Sequence, residues 1–186
     1  NKVRRFVGHH AAVTCIASCS CAPNVVTGSM DGTVRMWAGN DQGDSVTIEP
    51  NCGDIKCIGL SAKYDRLLIT GSDGIPTVWD PRYCKPIITL DEHPAGINCC
   101  DLSSDGLVAV TGSPDGRFRL FDIRSGHVTY TSDSRDSITA VSLRQTGSAI
   151  AAGTANGTVL LWDSRTQTIL NDTVLHENMV TSLDFH

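Results

Sequence analysis

A short apolar, β-branched run climbs to a Gly-Ser or Gly-Thr pair, a tight polar turn follows, and a second apolar run descends to an aromatic residue. The pattern occurs four times. The copies are Val26-Thr-Gly-Ser-Met-Asp-Gly-Thr-Val-Arg-Met-Trp37, Ile69-Thr-Gly-Ser-Asp-Gly-Ile-Pro-Thr-Val-Trp79, Val110-Thr-Gly-Ser-Pro-Asp-Gly-Arg-Phe-Arg-Leu-Phe121 and Ala151-Ala-Gly-Thr-Ala-Asn-Gly-Thr-Val-Leu-Leu-Trp162. Asp-Gly and Asn-Gly favour tight hairpin turns, because their central residues tolerate positive φ. Each copy therefore predicts two antiparallel strands.

The first glycines of the copies, Gly28, Gly71, Gly112 and Gly153, are spaced 43, 41 and 41 residues apart. A fixed period near that length means one supersecondary unit repeated, none able to bury its own core. Adding the flanking apolar runs gives four strands per unit. The predicted strands are residues 12–18, 26–28, a third ending at Trp37, and 45–49; then 55–60, 67–70, 76–79 and 86–90; then 97–102, 107–111, 117–121 and 128–131; then 138–143, 149–152, 159–162 and 168–174. Residues 2–7 predict an outer strand ahead of the first unit, and 179–185 a first strand of a fifth. The repeats span about 8–50, 51–91, 92–133 and 134–174, with the start of a fifth at 175–186.

Val13, Ile55, Ile97, Ile138 and Val180 occupy one slot of the first strands; Ile16, Ile58, Cys100, Val141 and Leu183 occupy another, three residues on. Under strict alternation the two columns point to opposite faces. Sheets apolar on both faces must be sandwiched between neighbours, which stacking around an axis satisfies.

The charge pattern narrows the functional classes. A net charge of −5 argues against a nucleic-acid surface, and Arg4-Arg5 forms only a local basic spot. No apolar run approaches the roughly 20 residues of a membrane-spanning helix. Asn1 stands where methionine is usual, so the beginning is expected upstream. Of the 8 cysteines, Cys15, Cys57 and Cys99 share one repeat slot, filled by Ala140 and Ser182 in later units. That slot wants a small, buryable side chain, which free cysteine supplies. Cys19-Ser-Cys21 and Cys99-Cys100 are fragments of a metal site with no partner motif to complete a tetrahedral set. No metal and no cofactor are expected, and reduced thiols point to the cytoplasm or nucleus.

These residues resemble the WD-repeat β-propeller family. Trp79-Asp80 and Trp162-Asp163 are the named dipeptide, Trp37-Ala38 and Phe121-Asp122 degenerate forms, and Gly8-His9, Glu92-His93 and Leu175-His176 the Gly-His end. The resemblance spans the chain. It implies an all-β fold of four-stranded antiparallel blades, with about four blades present out of a ring that usually has seven; a closed four-bladed ring or completion by another chain are the alternatives. It also implies a structural hydrogen-bond network in each blade: His9, Thr27, Asp31 and Trp37; Thr70, Asp73 and Trp79; His93, Thr111 and Asp115; Asn156 and Trp162; and His176 for the fifth. Phe121 and Ala152 remove members from the third and fourth. No serine sits on a nucleophile elbow, so the network is structural and no enzyme is expected.

The resemblance implies a non-catalytic scaffold that binds other proteins through its rims as a subunit of a larger intracellular assembly. A narrower reading rests on Arg82, Arg124 and Arg165, which follow Trp/Phe-Asp-x and resemble the docking motif of substrate receptors of cullin-RING ubiquitin ligases. A third reading is a propeller subunit of an RNA-processing particle, held there by protein contacts. Candidate rim loops are 39–44, 132–136 and the segment around 93–96.

Overall fold

The computed structural model describes residues 5–18, 25–38, 45–61, 66–90, 93–144 and 146–185. The Cys19-Ser-Cys21 motif, the 39–44 loop, residues 2–4 and Glu92 lie outside them. The described residues form four sheets of four antiparallel strands, each a simple meander. Blade 1 is β1 (Val13–Ser18), β2 (Val25–Ser29), β3 (Val34–Trp37) and β4 (Ser45–Ile48); blade 2 is β5 (Ile55–Ser61), β6 (Arg66–Gly71), β7 (Thr77–Asp80) and β8 (Lys85–Thr89). Blade 3 is β9 (Cys99–Leu102), β10 (Val108–Gly112), β11 (Phe118–Asp122) and β12 (Val128–Thr131); blade 4 is β13 (Ile138–Leu143), β14 (Ala149–Thr154), β15 (Thr158–Asp163) and β16 (Thr168–Val174).

The core is not inside any blade; it lies in three seams between blades. Val26, Val34, Met36 and Ile48 of blade 1 meet Ile55, Ile58, Leu67, Ile69 and Trp79 of blade 2. Leu68 and Val78 then face Cys100, Leu102, Ala109 and Phe121 of blade 3. Val110, Phe118 and Leu120 face Ile138, Val141, Ile150, Leu160 and Trp162 of blade 4. Period-2 alternation is visible in β6, where Leu67 and Ile69 point one way and Leu68 the other.

The first strands break that alternation. Ile55 and Ile58 lie in the same seam, as do Ile138 and Val141, so the two columns share a face instead of opposing each other. The reason is a β-bulge between Val13 and Cys15, Ile55 and Cys57, and Ile138 and Ala140, which adds a residue and resets the register. In blades 1 and 4 the bulged residue is a threonine that reaches the segment following its own blade. Thr14 Oγ1 donates to Ile55 O (2.7 Å), and Thr139 Oγ1 to Val180 O (2.6 Å). In blade 3, Asn98 Nδ2 donates to Ile138 O (2.8 Å).

The repeated glycines serve these seams. A Cβ at Gly28 would stand 2.5 Å from Ile55 Cγ2, at Gly112 2.5 Å from Ile138 Cγ2, and at Gly153 2.5 Å from Val180 Cγ1. Each is a socket for an aliphatic knob, Ile55 and Ile138 from the following blade and Val180 from the segment after blade 4. Gly71 differs, because its socket is filled by Cys52 of the preceding loop.

Two expected strands are absent. Residues 5–7 form none; Phe6 instead lies against Trp37 with ring centroids 5.1 Å apart. Residues 179–185 form none either, although Val180 is buried. A strand exists only as part of a ladder, and among the described residues neither segment joins one; the second makes a single backbone bond to β14, Val180 N–H to Thr154 O (3.1 Å). Among the described residues no helix is long and apolar enough to cross a membrane.

Candidate functional site

Two features merit functional reading: the polar clusters beneath the Asp-Gly turns, and the grooves beside the rim loops. In blade 1 the turn places Asp31 under the loop that carries His9. Trp37 Nε1 donates to Thr27 Oγ1 (2.8 Å), Thr27 Oγ1 meets His9 Nε2 (2.7 Å), and His9 Nδ1 meets Asp31 Oδ2 (3.0 Å). Asp31 also accepts the backbone N–H groups of His10 (2.8 Å) and Thr33 (2.9 Å) and the Thr33 hydroxyl (2.6 Å). Burial pushes the Asp31 carboxyl up, but these hydrogen bonds outweigh it and hold the group well below the usual carboxylate range.

Blade 3 assembles differently. His93 Nε2 meets Thr111 Oγ1, but Arg119 stands between the histidine and Asp115. Its Nη1 donates to His93 Nδ1 (2.8 Å) and its Nη2 to Asp115 Oδ2 (2.8 Å). A guanidinium only donates, so His93 Nδ1 accepts and Nε2 carries the proton. In blade 1 the Nδ1 proton points at Asp31, the opposite tautomer. The two aspartates differ at Oδ2: in Asp31 it meets His9 Nδ1 and accepts the His10 N–H, whereas in Asp115 it accepts Arg119, and in both the residue two further on gives its backbone N–H to Oδ1 (2.9 Å in each). The matching Arg35 donates instead through Nη1 to Ser45 Oγ (3.2 Å).

Burial and the adjacent Arg119 charge lower His93 to about 4, partly opposed by Asp115. The unfolded chain therefore binds a proton that the folded ring refuses between its ordinary value of about 6.5 and 4. Stability is expected to fall as pH drops through that window. Denaturant unfolding at pH 7 and pH 5 checks it, with His93→Gln showing a smaller loss; equal losses in both proteins would contradict it.

Blades 2 and 4 do not bring the named residues together. Thr70 Oγ1 donates to Cys57 O (3.2 Å) rather than serving Trp79, and Asp73 Oδ1 accepts Ile75 N–H (3.0 Å). Among the described residues Trp79 Nε1 and Trp162 Nε1 are buried with no hydrogen-bond partner. For Trp162 the loss follows from Ala152, which has no hydroxyl to offer. Its ring packs instead on Tyr130 (centroids 4.3 Å) and Phe118 (5.9 Å). Asn156 and His176 are exposed. Sequence reasoning missed Arg119, and its only signal was an arginine four residues after an aspartate on a buried strand.

Arg82, Arg124 and Arg165 follow one geometry. In each case the aspartate two residues earlier accepts the arginine N–H through Oδ1, at 3.0, 2.9 and 2.7 Å. Arg82 also folds its side chain back on Asp80, with Nη2 to Oδ2 at 3.0 Å. All three side chains are exposed.

Of the expected rims, the 132–136 loop contributes residues 133–136 to a groove of 390 Å³ together with Thr154, Thr158, Leu160, Ile169 and Asp172. Asp133, Asp136 and Asp172 against Arg135 give it an acidic balance. A second groove, of 510 Å³, runs along residues 5–9 to Thr27 and Trp37. Among the described residues no group of three or more His, Cys, Asp or Glu side chains is placed to hold a metal ion.

Four-stranded meanders stacked face to face define a β-propeller type of repeat protein. A family model for the WD domain, G-beta repeat matches residues 1–38, 84–122 and 124–163, more than half of the chain, and the chain belongs to that family. Its relatives include the guanine nucleotide-binding protein subunit beta of Oryza sativa subsp. indica, 28% identical over 93% of this chain and 49% of that protein. Mitochondrial division protein 1 of Vanderwaltozyma polyspora is 27% identical over 85% of this chain and 27% of its own length, and protein tipD of Dictyostelium discoideum 26% identical over 97% and 30%. The chain thus spans half or less of the length of these curated relatives.

Proposed function

We propose that this chain is part of a non-catalytic scaffold that binds other proteins through its rims, as one subunit of a larger intracellular assembly. The carrying observation is the 390 Å³ groove at the 132–136 loop, which sets the charges of Asp133, Arg135, Asp136 and Asp172 beside buried Leu160 and exposed Ile169 on a sheet stack. The family supports the reading, since its members generally act as scaffolds. So does the relative named a guanine nucleotide-binding protein subunit beta, which is by name one component of an assembly.

The two end faces support a larger ring. Val13 and Ile16 on β1 are 54% and 69% exposed, and β14 and β15 present Ala149, Ala151, Val159 and Leu161 half-buried on the face away from blade 3. Apolar sheet faces of this kind are covered by further blades in a closed propeller, and seven is the number we propose.

Affinity purification of the full-length protein tests the scaffold reading. A stoichiometric partner is expected that is lost from a variant carrying Asp133→Lys and Asp136→Lys with unchanged thermal stability. A protein that purifies alone, or turns over a substrate, contradicts it. The same purification separates the narrower readings. Exposed Arg124 and Arg165 favour adaptor docking only if Arg165→Ala releases a cullin-RING adaptor. Strongly salt-dependent RNA retention would support the ribonucleoprotein reading against the net charge.

A further inference from the structure

Among the described residues, the seam between blades 2 and 3 contains a thiol pair without a counterpart at the equivalent places of the other seams. Cys15, Cys57 and Cys99 each point from a first strand toward the next blade. Cys15 lies beside Ile58 and Cys99 beside Val141, so the partner position ordinarily holds an aliphatic side chain. Across from Cys57 that position is Cys100. Cys57 Sγ stands 3.3 Å from Cys100 N and 3.5 Å from Cys100 O. The inner strands are in backbone contact here, a Cβ at Gly59 standing 3.4 Å from Asp101 Cα. The two cysteines thus sit on adjoining strands with one sulfur against the other's backbone, and a disulfide between them needs the two sulfurs to turn toward each other.

We propose that Cys57 and Cys100 form a reversible disulfide between blades 2 and 3 when the protein meets a hydroperoxide. The Cys57 thiolate attacks one peroxide oxygen, the O–O bond breaks, and an alcohol or water leaves, giving a sulfenic acid. The Cys100 sulfur then attacks the Cys57 sulfur, the S–O bond breaks, and water leaves with the Cys100 proton. Two thiols are oxidised by two electrons and one peroxide is reduced. The roles follow from the surroundings. Cys57 is half-buried and reachable, whereas Cys100 is buried among Leu68, Phe121 and Ile123. The hydrogen bond from Cys100 holds the Cys57 thiol below its ordinary value, while that same bond and burial push Cys100 up. The product staples two blades along their inner strands, closing a 42-residue loop and restricting opening of the seam.

The test is peptide mapping of the full-length protein under non-reducing conditions after hydrogen peroxide treatment. A peptide joining Cys57 to Cys100, lighter by two hydrogens and released by dithiothreitol, is expected. It should persist in Cys99→Ala and vanish in Cys100→Val and Cys57→Ala. Both last changes copy residues used at the equivalent places (Val141 and Ala140), which keeps the fold intact. Oxidised wild type should melt at a higher temperature than reduced, and Cys100→Val should show no such rise. A cross-link through Cys99, or Cys57 driven to sulfinic acid with Cys100 still free, would overturn the proposal.

Discussion

Gly112→Ala is expected to destabilise the protein by about 1–3 kcal/mol, the cost of overpacking a tight core. For a chain of this size that corresponds to a fall in Tm of about 3–10 °C. The direction runs against local preference. Gly112 ends β10 with no positive φ, so alanine would ordinarily favour the strand. The new methyl has no room, however: Ile138 Cγ2 would lie 2.5 Å away, Cys99 Sγ 2.6 Å and Val141 Cγ1 3.1 Å. These side chains form the blade 3–blade 4 seam, so the methyl forces two sheets apart. Thermal unfolding followed by circular dichroism measures the effect, and an unchanged or raised Tm would show that the seam is loose.

The second large effect belongs to Asp31. Asp31→Ala removes the acceptor for His10 N–H, Thr33 N–H, the Thr33 hydroxyl and His9 Nδ1, leaving donors under a turn without partners. A loss on the order of 3 kcal/mol is expected, because hydrogen bonds to a charged group are strong and an orphaned partner carries its own desolvation cost. The effect depends on pH with a definite sign. The folded carboxyl is held below its ordinary range, so its contribution is complete above the unfolded value of about 3.9 and fades as pH falls through the lower folded value. Denaturant titrations should therefore separate wild type from Asp31→Asn widely at pH 7 and progressively less under acid. Asp73→Ala, which removes the acceptor of Ile75 N–H in blade 2, is expected to be milder.

Much of this architecture can be read from the residues. The Asp-Gly and Asn-Gly turns mark hairpins, and the aromatic that closes each copy marks the third strand of a blade. A gap in the blade 4 network was equally legible, because Ala152 has no hydroxyl for Trp162, although Asn156, which is exposed, was still expected to take part. What escaped reading depends on three-dimensional neighbours. Nothing in Thr14, Lys56 or Thr139 announces a bulge, yet the bulge decides which face Ile58 and Val141 occupy. The socket role of Gly28, Gly112 and Gly153 is similarly silent, since a glycine kept for room looks like one kept for φ. Arg119 escaped because its counterpart Arg35 pairs with Ser45 instead, so an arginine at this place does not by itself announce a bridge between histidine and aspartate. The groove at 132–136 is formed by one loop and three strands of the next blade, a juxtaposition no local pattern encodes.

That the molecule is held together by knobs of one blade seated on glycines of its neighbour is tested most directly by a double-mutant cycle across one seam. Gly112→Ala, Ile138→Ala and the pair would be measured by denaturant unfolding. With the knob shortened, the added methyl gains room, so the Gly112→Ala penalty should shrink by about 1 kcal/mol in the Ile138→Ala background. Additive penalties, agreeing within about 0.3–0.5 kcal/mol, would mean that the two residues do not meet and that the blades are joined some other way.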